Sequence, residues 1–161
     1  MEQLSEIWME FSRSSNGLLN DGILEANQVN EEWGFIPNDL KCLLKANNGQ
    51  KKDSKEGMFG KLHNGKSNFN YHFLDFESII DTYNQIKDFK IPDIEDNEIP
   101  FAILMNEGFG FSINKIDLSI NYISFNEYDY NGGTVHNKGT YKYADSMIDF
   151  IGNQTMLLEF K

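Results

Sequence analysis

Among its 161 residues the sequence has one cysteine, three prolines and a single arginine. A lone Cys42 rules out an intramolecular disulfide and any cysteine-built metal cage. Basic residues are scarce, 14 against 25 acidic ones, which gives a formal charge of −11 with histidine neutral. That balance excludes a broad nucleic-acid-binding face, because such a face needs a basic stripe to displace counterions from phosphates. It admits a basic partner, whose approach opposite charge would steer. No apolar run approaches the ~18 residues of a membrane span, and the longest lies around Ile99–Met105. The opening Met1-Glu2-Gln3-Leu4-Ser5-Glu6 lacks the basic start and apolar stretch of a secretory signal. The expectation is a protein of the reducing cytoplasm with no membrane partner.

What the chain does contain is enough for a core. Hydrophobic residues make up 40% and aromatics 14%. A chain of this length buries about 68–70% of its unfolded surface without staples. Leu4, Ile7, Trp8 and Phe11 recur at helical spacing, so residues 3–13 read as an amphipathic helix ended by Ser14-Ser15-Asn16-Gly17. Pro37 suits the first turn of a second helix, with Asn38 or Asp39 placed to cap it. Leu40, Leu43 and Leu44 form that helix's apolar face, and Asn47-Asn48-Gly49 stops it, with Gly49 as a left-handed cap. Residues 50–68 read as a loop or hairpin and Tyr71–Phe73 as a strand. Phe76–Ile86 has helical spacing again, and 88–98 is an acidic linker.

The second half reads as strands at Ile99–Leu104, Phe109–Phe111, Tyr122–Phe125 and Val135–Tyr143, the last after a turn at Asn131-Gly132-Gly133. A closing helix, capped by Asp145 or Ser146, carries Met147, Ile148, Phe150 and Ile151. Helices, then a strand meander, then a helix define an α+β domain with an antiparallel or mixed sheet flanked by helices. No repeat or linker divides the chain.

Catalytic patterns are sparse. There is no Gly-x-Ser-x-Gly nucleophile elbow. Cys42 lies between Leu40 and Leu43 and reads as a small helix residue. His63, His72 and His136 share no metal-ligand spacing. Gly60-x4-Gly65-Lys66-Ser67 satisfies the letter of a phosphate-binding loop, but polar residues precede it and a strand follows. Such a loop needs a buried strand before it and a helix after it. Asp93, Glu95, Asp96 and Glu98 form the densest acidic run. It reads either as a solvated linker or as an acidic patch for a basic partner, joined by Glu127 and Asp129 beside Tyr128 and Tyr130.

Three stretches together resemble the SUKH superfamily of fungal cell-wall-synthesis regulators and bacterial immunity proteins. The first is Glu32-Trp33-Gly34-Phe35-Ile36-Pro37 with Asp39-Leu40-Lys41 and Asn47-Asn48-Gly49. The second is Ile99-Pro100-Phe101-Ala102 with Glu107-Gly108-Phe109-Gly110-Phe111-Ser112-Ile113, and the third is Tyr143–Ile151. The likeness spans residues 25–151, leaving residues 1–24 as a helical extension of a single domain. Residues 50–70 have no clear match. The resemblance implies an α+β fold, no catalysis and often a protein toxin as partner, and the residues themselves give no reason to expect a cofactor or metal. A regulatory or scaffold domain of the same fold is the alternative. Independently of any ligand, Trp33 and Phe35 read as anchors for the helix at Pro37. Gly34 reads as a site of positive φ or close approach, and Gly108 and Gly110 as relief for a turn and a bulge.

Overall fold

A computed structural model describes residues 2–23, 31–63, 65–88, 94–104, 108–124 and 139–160. Helix α1 (Glu2–Ser12) runs into a 3-10 turn (Arg13–Leu18), and α2 (Glu31–Phe35) and α3 (Asn38–Ala46) follow. The strands β1 (Phe59–His63) and β2 (Lys66–Phe73) form a hairpin, and α4 (Phe76–Asp88) leads to the others. These are β3 (Glu98–Leu104), β4 (Phe109–Asn114), β5 (Ile120–Ser124) and β6 (Gly139–Ala144). Helix α5 (Met147–Leu157) and a 3-10 turn (Leu158–Phe160) close the chain. Spatial order follows chain order, β1-β2-β3-β4-β5-β6, and every pairing among the described residues is antiparallel, so the fold is α+β.

One face of the sheet holds the core. Phe73 and Phe111 share this face through their common partner Ala102, and the bulge between Pro100 and Ala102 turns Phe101 to the same side, where it meets Phe59. Phe59 is fully buried and lies 5.2 Å from Phe150, 5.7 Å from Phe73 and 5.9 Å from Phe101, ring centre to ring centre. Helix α1 packs into the core: Leu4, Trp8 and Phe11 are at most 2% exposed, and Trp8 meets Phe73 edge-on at 5.3 Å. Its helical period puts all three on one stripe, which packs against α5 and α3. The opposite sheet face carries a smaller cluster, Ile86 from α4 with Ile94 and Ile123.

The motif residues have local reasons. Pro37 stands one place before α3, in extended backbone, and accepts Lys41's N–H through its carbonyl. Neither Asn38 nor Asp39 caps that helix. Asn47-Asn48-Gly49 is a junction. Trp8 Nε1 donates to Asn47 Oδ1 at 3.0 Å, Asn47 Nδ2 donates to Asn20's carbonyl, and Phe76's N–H donates to Asn48 Oδ1 at 2.8 Å. Gly49 does take positive φ, +72°, but past an extended Asn47 rather than as the cap itself. Gly34 has neither assigned feature: it is a residue of α2, and a β-carbon there meets open space. Trp33 ties α2 to both neighbouring helices, with Lys41 Nζ of α3 5.7 Å over its ring and Phe76 of α4 at 5.3 Å, while Phe35 meets Tyr83 of α4 at 4.8 Å. Gly108 takes positive φ at the turn before β4. Pro100 lies beside a bulge in central β3, where its missing N–H is tolerated. Across the pair, Gly110 passes so close that a β-carbon would sit 2.2 Å from Ala102's oxygen.

Candidate functional site

The sheet is curled, and the curl makes the site. Tyr71 on β2 and Tyr122 on β5 are three strands apart in the sheet, a flat separation of about 14 Å. Their hydroxyls nevertheless meet at 2.9 Å. Beyond this pair lies a groove of about 840 Å³. Tyr71, Tyr122, Tyr141 and Tyr143 line it together with Phe109 and Leu104. Pleat and register account for the gathering. Leu104 pairs with both Tyr71 and Phe109, and Tyr122 pairs with both Phe111 and Tyr141, so alternate residues of five strands share this face. The rings lock one another: Tyr122 stacks on Phe109 at 6.3 Å and meets Phe111 edge-on at 5.5 Å.

The charged groups of the groove's described lining are the two ammoniums of Lys61 and Lys142, and the carbonyl oxygen of its amide, Asn68, is taken up by Asn70 Nδ2. Lys61 Nζ stands 4.1 Å over the Tyr122 ring, an arrangement in which the ring's negative face attracts the ammonium. Lys142 reaches the rim and bonds Asp145 at 2.6 Å. Ser124 lines the groove and is 1% exposed, and its Oγ has no hydrogen-bond partner among the described residues. Burial raises the pKa of Tyr71, Tyr122 and Tyr143 above the usual phenol value, because a phenolate is poorly solvated there. All three therefore stay protonated at neutral pH and present O–H groups.

Three of the residues expected to form an acidic contact patch are described. Glu95 and Asp96 are exposed in the loop before β3. Glu98 is 5% exposed and turned inward. As the first residue of β3 it faces the sheet side away from Ile99, where Ser112 Oγ donates at 2.6 Å, Asn121 Nδ2 at 2.7 Å and Asn114 Nδ2 at 3.1 Å. A buried carboxylate is tolerated when donors satisfy it, so Glu98 is a structural group rather than a contact residue. Asp93, Glu127, Tyr128, Asp129 and Tyr130 lie outside the described residues. The turn at Asn131-Gly132-Gly133 and His136 do as well.

Other candidate chemistry dissolves in the geometry. Gly60 and Lys66-Ser67 fall on the two strands of the β1–β2 hairpin, so no helix N-terminus faces the loop between them. Cys42 is half-buried on α3, its Sγ 3.2 Å from Ser5 Oγ. Among the described residues no three His, Cys, Asp or Glu side chains converge as a metal site, and no helix is long and apolar enough to cross a membrane.

The groove residues were visible in the sequence only as alternation: Phe69-x-Tyr71-x-Phe73, Phe109-x-Phe111 and Tyr141-x-Tyr143. The chain matches no protein-family model and no curated protein. Its likeness to the SUKH superfamily therefore rests on the three motifs.

Proposed function

We propose that this chain is a non-catalytic protein-binding domain acting as an immunity protein: it neutralises a cognate toxin by covering the toxin's working surface. The observation that carries this reading is the groove, where four tyrosines and Phe109 stand together at an open site. Tyrosine brings large contact area, few rotatable bonds and a polar tip, so it anchors protein interfaces at low entropic cost. The charge of −11 supports a basic partner, such as a nuclease whose substrate cleft attracts phosphate. The order of the SUKH-like motifs favours a toxin over other basic proteins. A stable inhibitory contact covers about 800 Å² per partner. The groove would be its centre and the exposed carboxylates its rim.

Co-expression with the products of the neighbouring genes, scored for toxicity and its relief, tests the reading. The expected result is restored growth against a toxic product and co-elution of the two proteins. Undiminished killing with separate elution overturns the immunity reading. A chain that spares no cells but co-elutes with a cellular regulator is the regulatory alternative.

A further inference from the structure

We propose that the groove is built for one kind of anchor: an aromatic or branched apolar side chain with a carboxylate beside it, presented by a peptide segment of the partner. The inference rests on the protein-binding reading and adds the chemistry of the contact. Its basis is a mismatch of donors and acceptors. The hydroxyls of Tyr71 and Tyr122 spend one proton on their mutual bond, which leaves one O–H to donate. Ser124 contributes a second O–H, with no acceptor among the described residues. Lys61 contributes an ammonium, and among the described residues no carboxylate stands within ion-pair distance of it. The described lining includes no Asp or Glu, in a chain with 25 of them. A carboxylate accepts on both oxygens and donates nothing, so it answers this excess.

The apolar half of the anchor follows from the walls. Leu104 and Phe109 flank the tyrosine rings and offer a surface that excludes water around the ion pair. The volume of about 840 Å³ lies within the ~300–1,000 Å³ range of ligand-holding clefts. It exceeds one side chain, so flanking peptide enters with the anchor. The rim is open, with Tyr141 50% exposed, as a segment entering from a larger surface requires.

Selection from a random peptide display library on the intact protein tests this, followed by anisotropy titration of the enriched peptides. The expected peptides share an aromatic, Leu or Ile residue next to Asp or Glu. Replacing that acid by its amide should weaken binding about tenfold or more, the scale of one charge-assisted bond. Lys61→Glu should abolish binding. Tyr122→Phe and Ser124→Ala should each weaken it several-fold while far-ultraviolet dichroism stays unchanged, and the thermal midpoint should stay unchanged in Ser124→Ala. Enriched peptides without an acid, or binding indifferent to Lys61→Glu, overturn the proposal. So does 3-phenylpropionate binding in the groove without any peptide enrichment, which would make it a small-acid site. Growth rescue that survives Lys61→Glu would sink this inference and leave the immunity reading standing.

Discussion

Gly34 and Gly49 stand on either side of α3 in one sequence motif and do different work. At Gly49 the backbone takes φ +72°, and a β-carbon would stand 2.4 Å from Asp75's backbone nitrogen. Gly49→Ala must therefore adopt a left-handed conformation and displace backbone, at a cost of about 2–4 kcal/mol. Gly34→Ala places a methyl in open space on α2 and should stabilise by about 0.4–1 kcal/mol. Urea midpoints that shift in the same direction for both variants would contradict this geometry. The Tyr71–Tyr122 pair makes a second residue-level prediction. Burial holds both folded pKa values above the usual 10.0. Below pH 10 both states keep the protons, and the contribution to stability is fully present. As pH rises past 10 the unfolded chain releases protons that the folded one retains, so stability falls. Urea midpoints measured across that window should drop, and less steeply in Tyr122→Phe; equal slopes would remove the pair as the cause. The left-handed Gly49 was legible in the Asn-Asn-Gly stop, and the tyrosine pair was not. Glu98 shows why: it is one of four acids in a loop-like run, and only the pleat of β3 decides that it faces Ser112, Asn114 and Asn121.

Elements were legible where one face is apolar and period alone suffices. The helices α1, α3 and α4 and the strands β3 and β4 stand close to where their spacing places them. The structure adds β1 as a full strand and six residues to α5 beyond Ile151. Both depend on each other over long range. The strand β1 is at the sheet edge, and Gly60 meets the side chain of Gln154 there: Gly60's N–H donates to Oε1 at 2.7 Å, and Nε2 donates to Gly60's carbonyl at 2.9 Å. The glutamine amide thus substitutes for a neighbouring strand and closes an edge that would otherwise invite pairing. No sequence window spans residues 60 and 154, so this signal was out of reach. Gln154→Leu leaves both backbone groups buried and unsatisfied, which should cost about 2–4 kcal/mol. Denaturant unfolding with an unchanged m-value should show it. A loss under about 0.5 kcal/mol, within the range of ordinary surface substitutions, would mean that water replaces the amide and the edge is not closed this way. The groove is likewise a product of elements: the alternating aromatics are readable, but the curl that joins Tyr71 to Tyr122 is not.

At the scale of the whole molecule the charge is the dominant physical fact, and the fold does little to neutralise it. Among the described residues two ion pairs stand out, Lys52 with Asp75 at 3.7 Å and Lys142 with Asp145 at 2.6 Å, and in each at least one side chain is well exposed. Such pairs contribute little. Elsewhere carboxylates lie in register: Glu2, Glu6 and Glu10 follow one another at i, i+4 along the exposed side of α1. Like charges at that spacing destabilise a helix by about 0.2–0.5 kcal/mol per pair. The folded chain thus holds repulsion that dilute salt leaves intact and a basic partner would relieve. Raising sodium chloride from about 0.01 M to about 1 M shortens the screening length from about 30 Å to about 3 Å. The urea midpoint should therefore rise, by about 0.5–1 kcal/mol of stability from α1's pairs and their neighbours. Glu6→Lys removes both like-charge contacts on α1 and should raise the low-salt midpoint while flattening its salt response. A midpoint that falls with salt would show net attraction instead. The acidic surface would then carry no strain for a partner to discharge, and the argument from charge to a basic partner would lose its energetic half.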